Sequence, residues 1–324
     1  MSRQAVQYVL VLLLALTVNF ALPRAMPGSP LRALGGGDVG LLSAADRAEL
    51  LAQYGLDRPL AVQFRDYVVG LAQLDLGTSF ADGRPVTAVL GERVGWTLLL
   101  VGSALALATL LGVAMGVLSA ARRERGRDTG TVATFVALDA MPAFWTGMLL
   151  ILAFSVQLGW LPTFGGAPLA GAAPGLAGVL DIAEHLILPL TTLVLAGVAQ
   201  MFLVTRSSMM TVLGSGYLFL ARAKGLPPGR VLVRHGMRNA ALPVTTLFLL
   251  EVGTLVEGAV VVETVFAYPG LGRLMYEAVL ARDFPVLQGG FLVLTVAVIG
   301  MNLLADLSYP LLDPRVRRST AAVA

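Results

Sequence analysis

Apolar residues in this chain come in long unbroken runs. Ala5 to Leu22 holds 18 residues without a charge and follows Arg3, and Trp96 to Ala121 holds 26. A hydrocarbon core ~30 Å thick takes about 20 helical residues, so both runs are long enough to cross it with some tilt. Further apolar stretches cover about Thr131 to Leu158, interrupted by Asp139 and Pro142, and about His185 to Thr205, with Pro189 inside. Two more run from about Ala240 to Val262 and from about Phe284 to Ser308. The pattern predicts an all-α integral membrane protein with six transmembrane helices. The first run reads as an uncleaved span, not a signal peptide. A cleaved leader has a shorter apolar core and small residues at its processing site, whereas Pro23-Arg24-Ala25-Met26-Pro27 follows here. That helix is expected to end at Pro23.

Residues 24–95 form the long hydrophilic region, with Leu, Val, Phe and Tyr at helical spacing. Ser43 and Asp46 have capping-box spacing ahead of RAELLAQYG, and Gly55 supplies a stop. Pro59 opens a second helical segment through Val62, Tyr67, Val68 and Leu71 to Gly77. An irregular surface loop is the alternative for the whole region. The resulting division is a first helix with an extracytoplasmic region over 1–95, a membrane domain over 96–310 and a tail over 311–324. A Gly/Pro-rich linker, Gly159 to Gly178, lies inside the membrane domain.

Charge orients the spans, because loops that stay in the cytoplasm are enriched in Lys and Arg. One side carries Arg3, Arg122, Arg123, Arg125, Arg127, Arg206, Arg222, Lys224, Arg230, Arg234, Arg238, Arg315, Arg317 and Arg318, 14 in all. The other carries nine, seven of them in the long 24–95 region that the rule weighs lightly. Both termini are therefore expected in the cytoplasm, with residues 24–95 outside. Composition agrees: 56% of residues are hydrophobic and 13% charged, against ~25% charged in an ordinary soluble domain. The net charge of +3 follows from orientation, and no aromatic-studded basic groove for nucleic acid is present. Cysteine is absent and there are two histidines, His185 and His235, which excludes disulfides and leaves no metal site.

Asp139, Glu251, Glu257 and Asp306 fall within or near spans, where a carboxylate is costly enough to mark a functional candidate. A proton or cation relay is one reading; pairing with polar neighbours or lining a wet cavity is the other. Gly112 and Gly116 form a GxxxG spacing that reads as close helix packing. No phosphate-binding GxxxxGK[ST], no serine elbow and no HExxH occurs, so the chain carries no nucleotide-hydrolysing or zinc-protease machinery. An intramembrane enzyme has only isolated acids and serines behind it.

The basic loop Tyr217 to Pro243 is the most distinctive segment, with Arg222, Lys224, Arg230, Arg234, Arg238 and His235 and no acid. Ala221 and Ala223 are small, Gly225 permits a tight bend, and Pro227 and Pro228 can start a second helix. Topology alone accounts for a basic cytoplasmic loop, but this helix, glycine, helix grammar is that of a docking element.

At these residues the chain resembles the permeases of binding-protein-dependent ABC importers, in the dipeptide, oligopeptide and nickel subfamily of type I transmembrane subunits. ARAKGL (Ala221 to Leu226) followed by RVLVRHGMRNAALP (Arg230 to Pro243) is similar to that subfamily's coupling motif, with its glycine at Gly225. Agreement continues in ERVGWTLLL (Glu92 to Leu100), MPAFWTGMLLI (Met141 to Ile151), QLGWLP (Gln157 to Pro162) and LPLTTLVLAG (Leu188 to Gly197). It extends through GAVVVETVFAYPGLGRL (Gly258 to Leu274), ARDFPVLQG (Ala281 to Gly289) and LDPRVR (Leu312 to Arg317). GLDRPLAVQF and LDLGTSF carry it more weakly into the 24–95 region. One departure is that Ser215 and Gly216 precede Tyr217, where the family often has an acid.

The resemblance implies a MetI-like type I transmembrane domain with a coupling loop over 207–240, in a multi-pass protein of the cell (inner) membrane. It implies a second homologous permease subunit, two cytoplasmic ATPase subunits that bind ATP and Mg, and an extracytoplasmic substrate-binding protein. This chain itself would then be no enzyme and would hold no cofactor. The contact to the ATPase would use Tyr217, Ala221, Arg222, Ala223, Lys224, Gly225, Leu226, Arg234 and Pro243. The pathway or its outer mouth would draw on Asp139, Glu251, Glu257, Glu263, Pro269, Gly270 and Asp306, with a purely structural turn the alternative for the Glu263 to Arg273 stretch. Peptides or similar small solutes are the implied cargo. The competing function is an ion-coupled secondary transporter that uses the intramembrane carboxylates.

Overall fold

A computed structural model describes residues 2–26, 43–122, 128–168, 171 and 174–312. Arg123, Arg125, Arg127, Arg315, Arg317, Arg318 and the tail beyond Leu312 lie outside them. Among the described residues the chain is helical, with one isolated bridge between Thr78 and Pro85. The helices are α1 (Ser2–Ala25), α2 (Ala44–Gln53), α3 (Leu60–Ala72), α4 (Val86–Arg122), α5 (Asp128–Asp139) and α6 (Ala143–Leu150). They continue with α7 (Leu176–Leu213), α8 (Gly216–Ala223), α9 (Arg238–Val265), α10 (Leu271–Ala281) and α11 (Phe284–Leu312). A π-helical segment, Ile151–Gln157, extends α6, and a turn, Pro228–Arg230, leads through π-helical Val231–Met237 into α9. Five helices are long and apolar enough to cross a membrane, and a sixth crossing is obtained if α5 and the α6 segment count as one.

Contacts divide the chain into two compact units, Met1–Trp96 with Pro269–Ile299, and Thr97–Tyr268 with Gly300–Ala324. In the first, α1 leaves most of its apolar length uncovered, as a lipid-facing helix does, and packs at its C-terminal end. There Asn19 donates to Gln288 O at 2.8 Å and Phe20 meets the edge of Phe64 at 5.1 Å. Pro23 does not end α1, which runs on to Ala25. A proline in the last turn removes one backbone donor next to water, and Arg24 reaches back to Phe20 O at 3.0 Å.

Where it is described, the 24–95 region is not an irregular loop: it holds α2, α3 and the first turns of α4, which begins at Val86 and not at Trp96. Ser43 Oγ accepts from Asp46 N at 3.2 Å while Asp46 accepts from Ser43 N at 3.1 Å, which completes the capping box of α2. Pro59 precedes α3, which ends at Ala72; Gly77, at φ +78°, sits in the following turn. Neither helix buries a residue completely. The apolar core of this unit is instead Val86, Leu90, Leu271, Met275, Val286 and Leu287. Asp283 opens α11: it accepts from Val286 N at 3.3 Å, and also from Ser79 Oγ and, at 3.1 Å, from Ala81 N. The ARDFP stretch thereby holds the 79–84 turn in place.

In the second unit α7 is the central helix, with 56% of its most apolar window buried against 17–33% in the other long helices. Pro189 lies buried inside it without ending it. The GxxxG spacing works as expected, since a Cβ on Gly112 would stand 2.7 Å from Met201 Cβ and one on Gly116 2.8 Å from Thr205 Cβ. Backbones of α4 and α7 meet where those side chains are missing. The third apolar stretch is not a straight span, because α5 and the α6 segment are bent by 99°. Pro142 disfavours helical backbone at Met141 and then starts a new helix, its carbonyl accepting from Thr146 N at 3.0 Å. Helices α7 and α9 outrun the apolar stretches at His185 to Thr205 and Ala240 to Val262, since polar turns beyond the hydrocarbon continue the same backbone bonds.

Candidate functional site

The helix α8 follows α7 after a two-residue turn and is closed at its far end by Gly225. Gly225 N donates to Arg222 O at 2.9 Å and Leu226 N to Ala221 O at 3.4 Å, with Gly225 at φ +77°. This is the Schellman ending, in which a left-handed residue lets two orphan carbonyls be satisfied. Its usual apolar contact is present: Leu226 packs on a small core of Leu218, Ala221 and Val231. Pro227 and Pro228 then start the next turn, with Arg230 N donating to Pro227 O at 2.9 Å. Asn239 Nδ2 donates to Tyr217 OH at 2.8 Å, joining the start of α8 to the start of α9.

These bonds give the loop two faces. Leu218 and Ala221, three apart in α8, point into the core. Phe219 (74% exposed) and Leu220 (55%) stand outside with Arg222, Ala223, Lys224 and Gly225. Val233 and Arg234 are exposed on the π-helical segment. The sequence-predicted residues Tyr217, Arg222, Ala223, Lys224, Gly225 and Arg234 are thus on the surface of one short structure. Ala221 is inside it, and Leu226 is half-buried beneath it. Pro243 is in α9 and exposed. Sequence reasoning passed over Phe219, Leu220 and Asn239; the helical phase set by Leu218 and Ala221 carries the signal for the first two.

The intramembrane acids do not form one group. Glu251 is buried on α9, its Oε1 3.2 Å from where a Cβ of Gly197 would lie, and Asp139, at the end of α5, is near enough to interact with it. Glu257 is exposed and Asp306 half-buried. Glu263 is fully buried and accepts from Thr97 Oγ1 at 2.6 Å, which fastens the C-terminal end of α9 to α4. Just beyond, Tyr268 N donates to Glu263 O at 2.8 Å. Burial, with the Glu263 carboxylate nearby, pushes the Tyr268 hydroxyl far above the ordinary phenol range, so it keeps its proton. Gly270 caps α10, Pro269 being half-buried beside it. An acid missing from the sequence-derived set, Asp128, is buried and pairs with Arg206. No group of three or more His, Cys, Asp or Glu suited to a metal occurs among the described residues.

The model of the family described as "Binding-protein-dependent transport system inner membrane component" matches residues 112–318, which include the whole of this loop. The chain belongs to that family. It is similar over nearly all its length to curated permeases. The oligopeptide transport system permease protein AppB of Bacillus subtilis is 39% identical over 308 residues, 94% of this chain and 95% of that one. The dipeptide transport system permease protein DppB of Escherichia coli K12 is 39% identical over 317 residues, 93% of each. The glutathione transport system permease protein GsiC of Salmonella typhimurium is 39% identical over 306 residues, 94% of each. Among solved structures, a chain of the MetNI methionine ABC transporter in inward-facing conformations matches with a TM-score of 0.58 at 15% identity, covering 70% of this chain and 97% of that one. That likeness places the fold with the MetI-like membrane subunits.

The chain is therefore a multi-pass inner-membrane permease subunit of an ABC importer, and the reading as an ion-coupled secondary transporter has no support among these relatives.

Proposed function

We propose that this permease forms half of the membrane pathway of an ATP-driven importer of peptides or similar small solutes, and that α8 with Gly225 is the lever through which ATP hydrolysis moves it. The supporting observation is the exposed face of α8. Two large apolar side chains, Phe219 and Leu220, stand beside Arg222 and Lys224 on a helix whose own core is already complete. An apolar centre rimmed by basic groups suits insertion into a cleft of an acidic partner protein.

In this reading two cytoplasmic ATPase subunits bind ATP and Mg, since the chain lacks any phosphate cradle. Each ATPase receives the loop of one permease, and a second homologous permease completes the pathway. ATP binding closes the ATPase pair, hydrolysis lets it reopen, and the loops carry that motion into the spans. Both termini lie in the cytoplasm in this reading, and a substrate-binding protein docks on the opposite face, to which the charge asymmetry assigns residues 24–95, 159–184 and 263–285. Cargo selection belongs largely to the binding protein. Peptide cargo is supported by the oligopeptide, dipeptide and glutathione permeases among the relatives.

The test is ATP hydrolysis by the reconstituted complex across a panel of binding-protein ligands. Stimulation by short peptides or glutathione is expected, and stimulation confined to a metal ion or a sugar would overturn the peptide assignment.

A further inference from the structure

Arg58–Asp66, Arg65–Asp66, Arg84–Asp82, Arg84–Glu92 and Arg273–Glu277 each join residues no more than eight apart on a wet surface. Arg206 and Asp128 are 78 residues apart and largely buried, with side-chain exposures of 22% and 8%. Asp128 is the first residue of α5, and Arg206 lies on α7 seven residues before that helix ends at Leu213.

Every oxygen of the carboxylate is used. Arg206 donates through Nε at 2.9 Å and through Nη2 to Asp128 Oδ2, and Ser119 Oγ donates to Oδ1. Ser119 is on α4, three residues before its end at Arg122. Three helices are therefore fastened at one carboxylate. The same three are also packed together close by, where Phe135 of α5, about two turns along from Asp128, stacks on Phe202 of α7 at 4.0 Å and Gly116 of α4 abuts Thr205.

We propose that the Arg206–Asp128–Ser119 cluster is a strap that makes the inner ends of α4, α5 and α7 move as one body with the coupling loop. A buried ion pair adds little to stability over an apolar pair of the same shape, because desolvation offsets most of the attraction. What it adds is direction: the guanidinium and carboxylate lock in one geometry, so α5 cannot slip against α7. Motion entering at α8 passes directly into α7. Through Asp128 it also reaches α5, and at the other end of α5 lies the 99° bend at Asp139 to Pro142. The strap thus carries loop motion to the bend. Asp128, Arg206 and Ser119 are positioning residues in this scheme; none of them touches cargo or ATP. The proposal rests on the coupling-loop reading above.

The experiment uses the assembled, reconstituted complex and measures cargo transported per ATP hydrolysed. Asp128→Asn and Arg206→Gln are each expected to lower that ratio about tenfold while ATPase co-purification holds and hydrolysis stays within about twofold. The swap Asp128→Arg with Arg206→Asp should recover at least half of the ratio. Uptake and hydrolysis falling in proportion in the single variants would mean a structural role only and would overturn the strap. Because the chain has no native cysteine, Asp128→Cys with Arg206→Cys provides an independent arm. Bridging the two thiols with a short bis-maleimide should restore coupling, and a bridge that blocks uptake overturns the proposal. Failure of the coupling-loop reading shows up separately, as normal coupling in Phe219→Asp.

Discussion

Gly225 holds the ending of α8 at φ +77°, and a Cβ there would meet nothing within 4 Å. Its requirement is therefore conformational and not steric. Gly225→Ala should cost the loop ~1 kcal/mol, because an L side chain disfavours the left-handed region, while Gly225→Asn should cost less. Graded loss of ATPase co-purification, alanine worse than asparagine, is the expected readout; equal behaviour would mean that Gly225 is needed for contact and not for backbone shape. Ala221 is the opposite case. It reads in sequence as a small contact residue, but it is buried against Leu218 and Val231, so Ala221→Glu would place a charge in that core and unfold the loop itself. The clean probes of the partner surface are Phe219, Leu220, Arg222 and Lys224. Gly112 and Gly116 answer to packing alone, and Gly116→Val, driven into Thr205 Cβ and Phe202 O, should cost ~1–3 kcal/mol or more. Lower steady-state amount in the membrane and a lower melting temperature of the purified protein would show it.

Elements were legible where local chemistry decides them. The capping box of α2, the proline at the start of α3 and the helix, glycine, helix course of the loop all depend on residues within one turn of each other, and all three stand in the structure. Ser43→Ala should accordingly destabilise α2 by ~1 kcal/mol, seen as faster amide exchange across 44–53 with the membrane helices unchanged. Proline was legible only in part. Pro189 and Pro23 are absorbed by their helices, whereas Pro142 makes the 99° bend. The difference lies in what satisfies the freed carbonyl and in whether the preceding residue can stay helical, which neighbours in space decide. The Asp128–Arg206 pair was illegible for the same reason: 78 residues separate its members, and the arginine reads as a simple charge at the end of a span.

At the scale of the molecule, the run lengths were enough for the five long helices, and for a sixth crossing if α5 and the α6 segment count as one, while the division of contacts into two units has no counterpart in composition. The orientation is open to direct measurement, since single cysteines can be introduced without a background. An impermeant maleimide should reach a cysteine at Asp66 from outside intact cells, and one at Lys224 only after the cytoplasmic face is opened; the reverse pattern would invert the topology. The most direct test of the lever is Phe219→Asp in the full complex with its binding protein and ATPases. With Phe219 74% exposed, the substitution leaves the fold of this chain intact. The expected result is normal insertion, with ATPase association and ligand-stimulated hydrolysis reduced at least about tenfold by a charge in an apolar contact. Full stimulation and uptake in that variant would contradict the assignment of α8 as the coupling element.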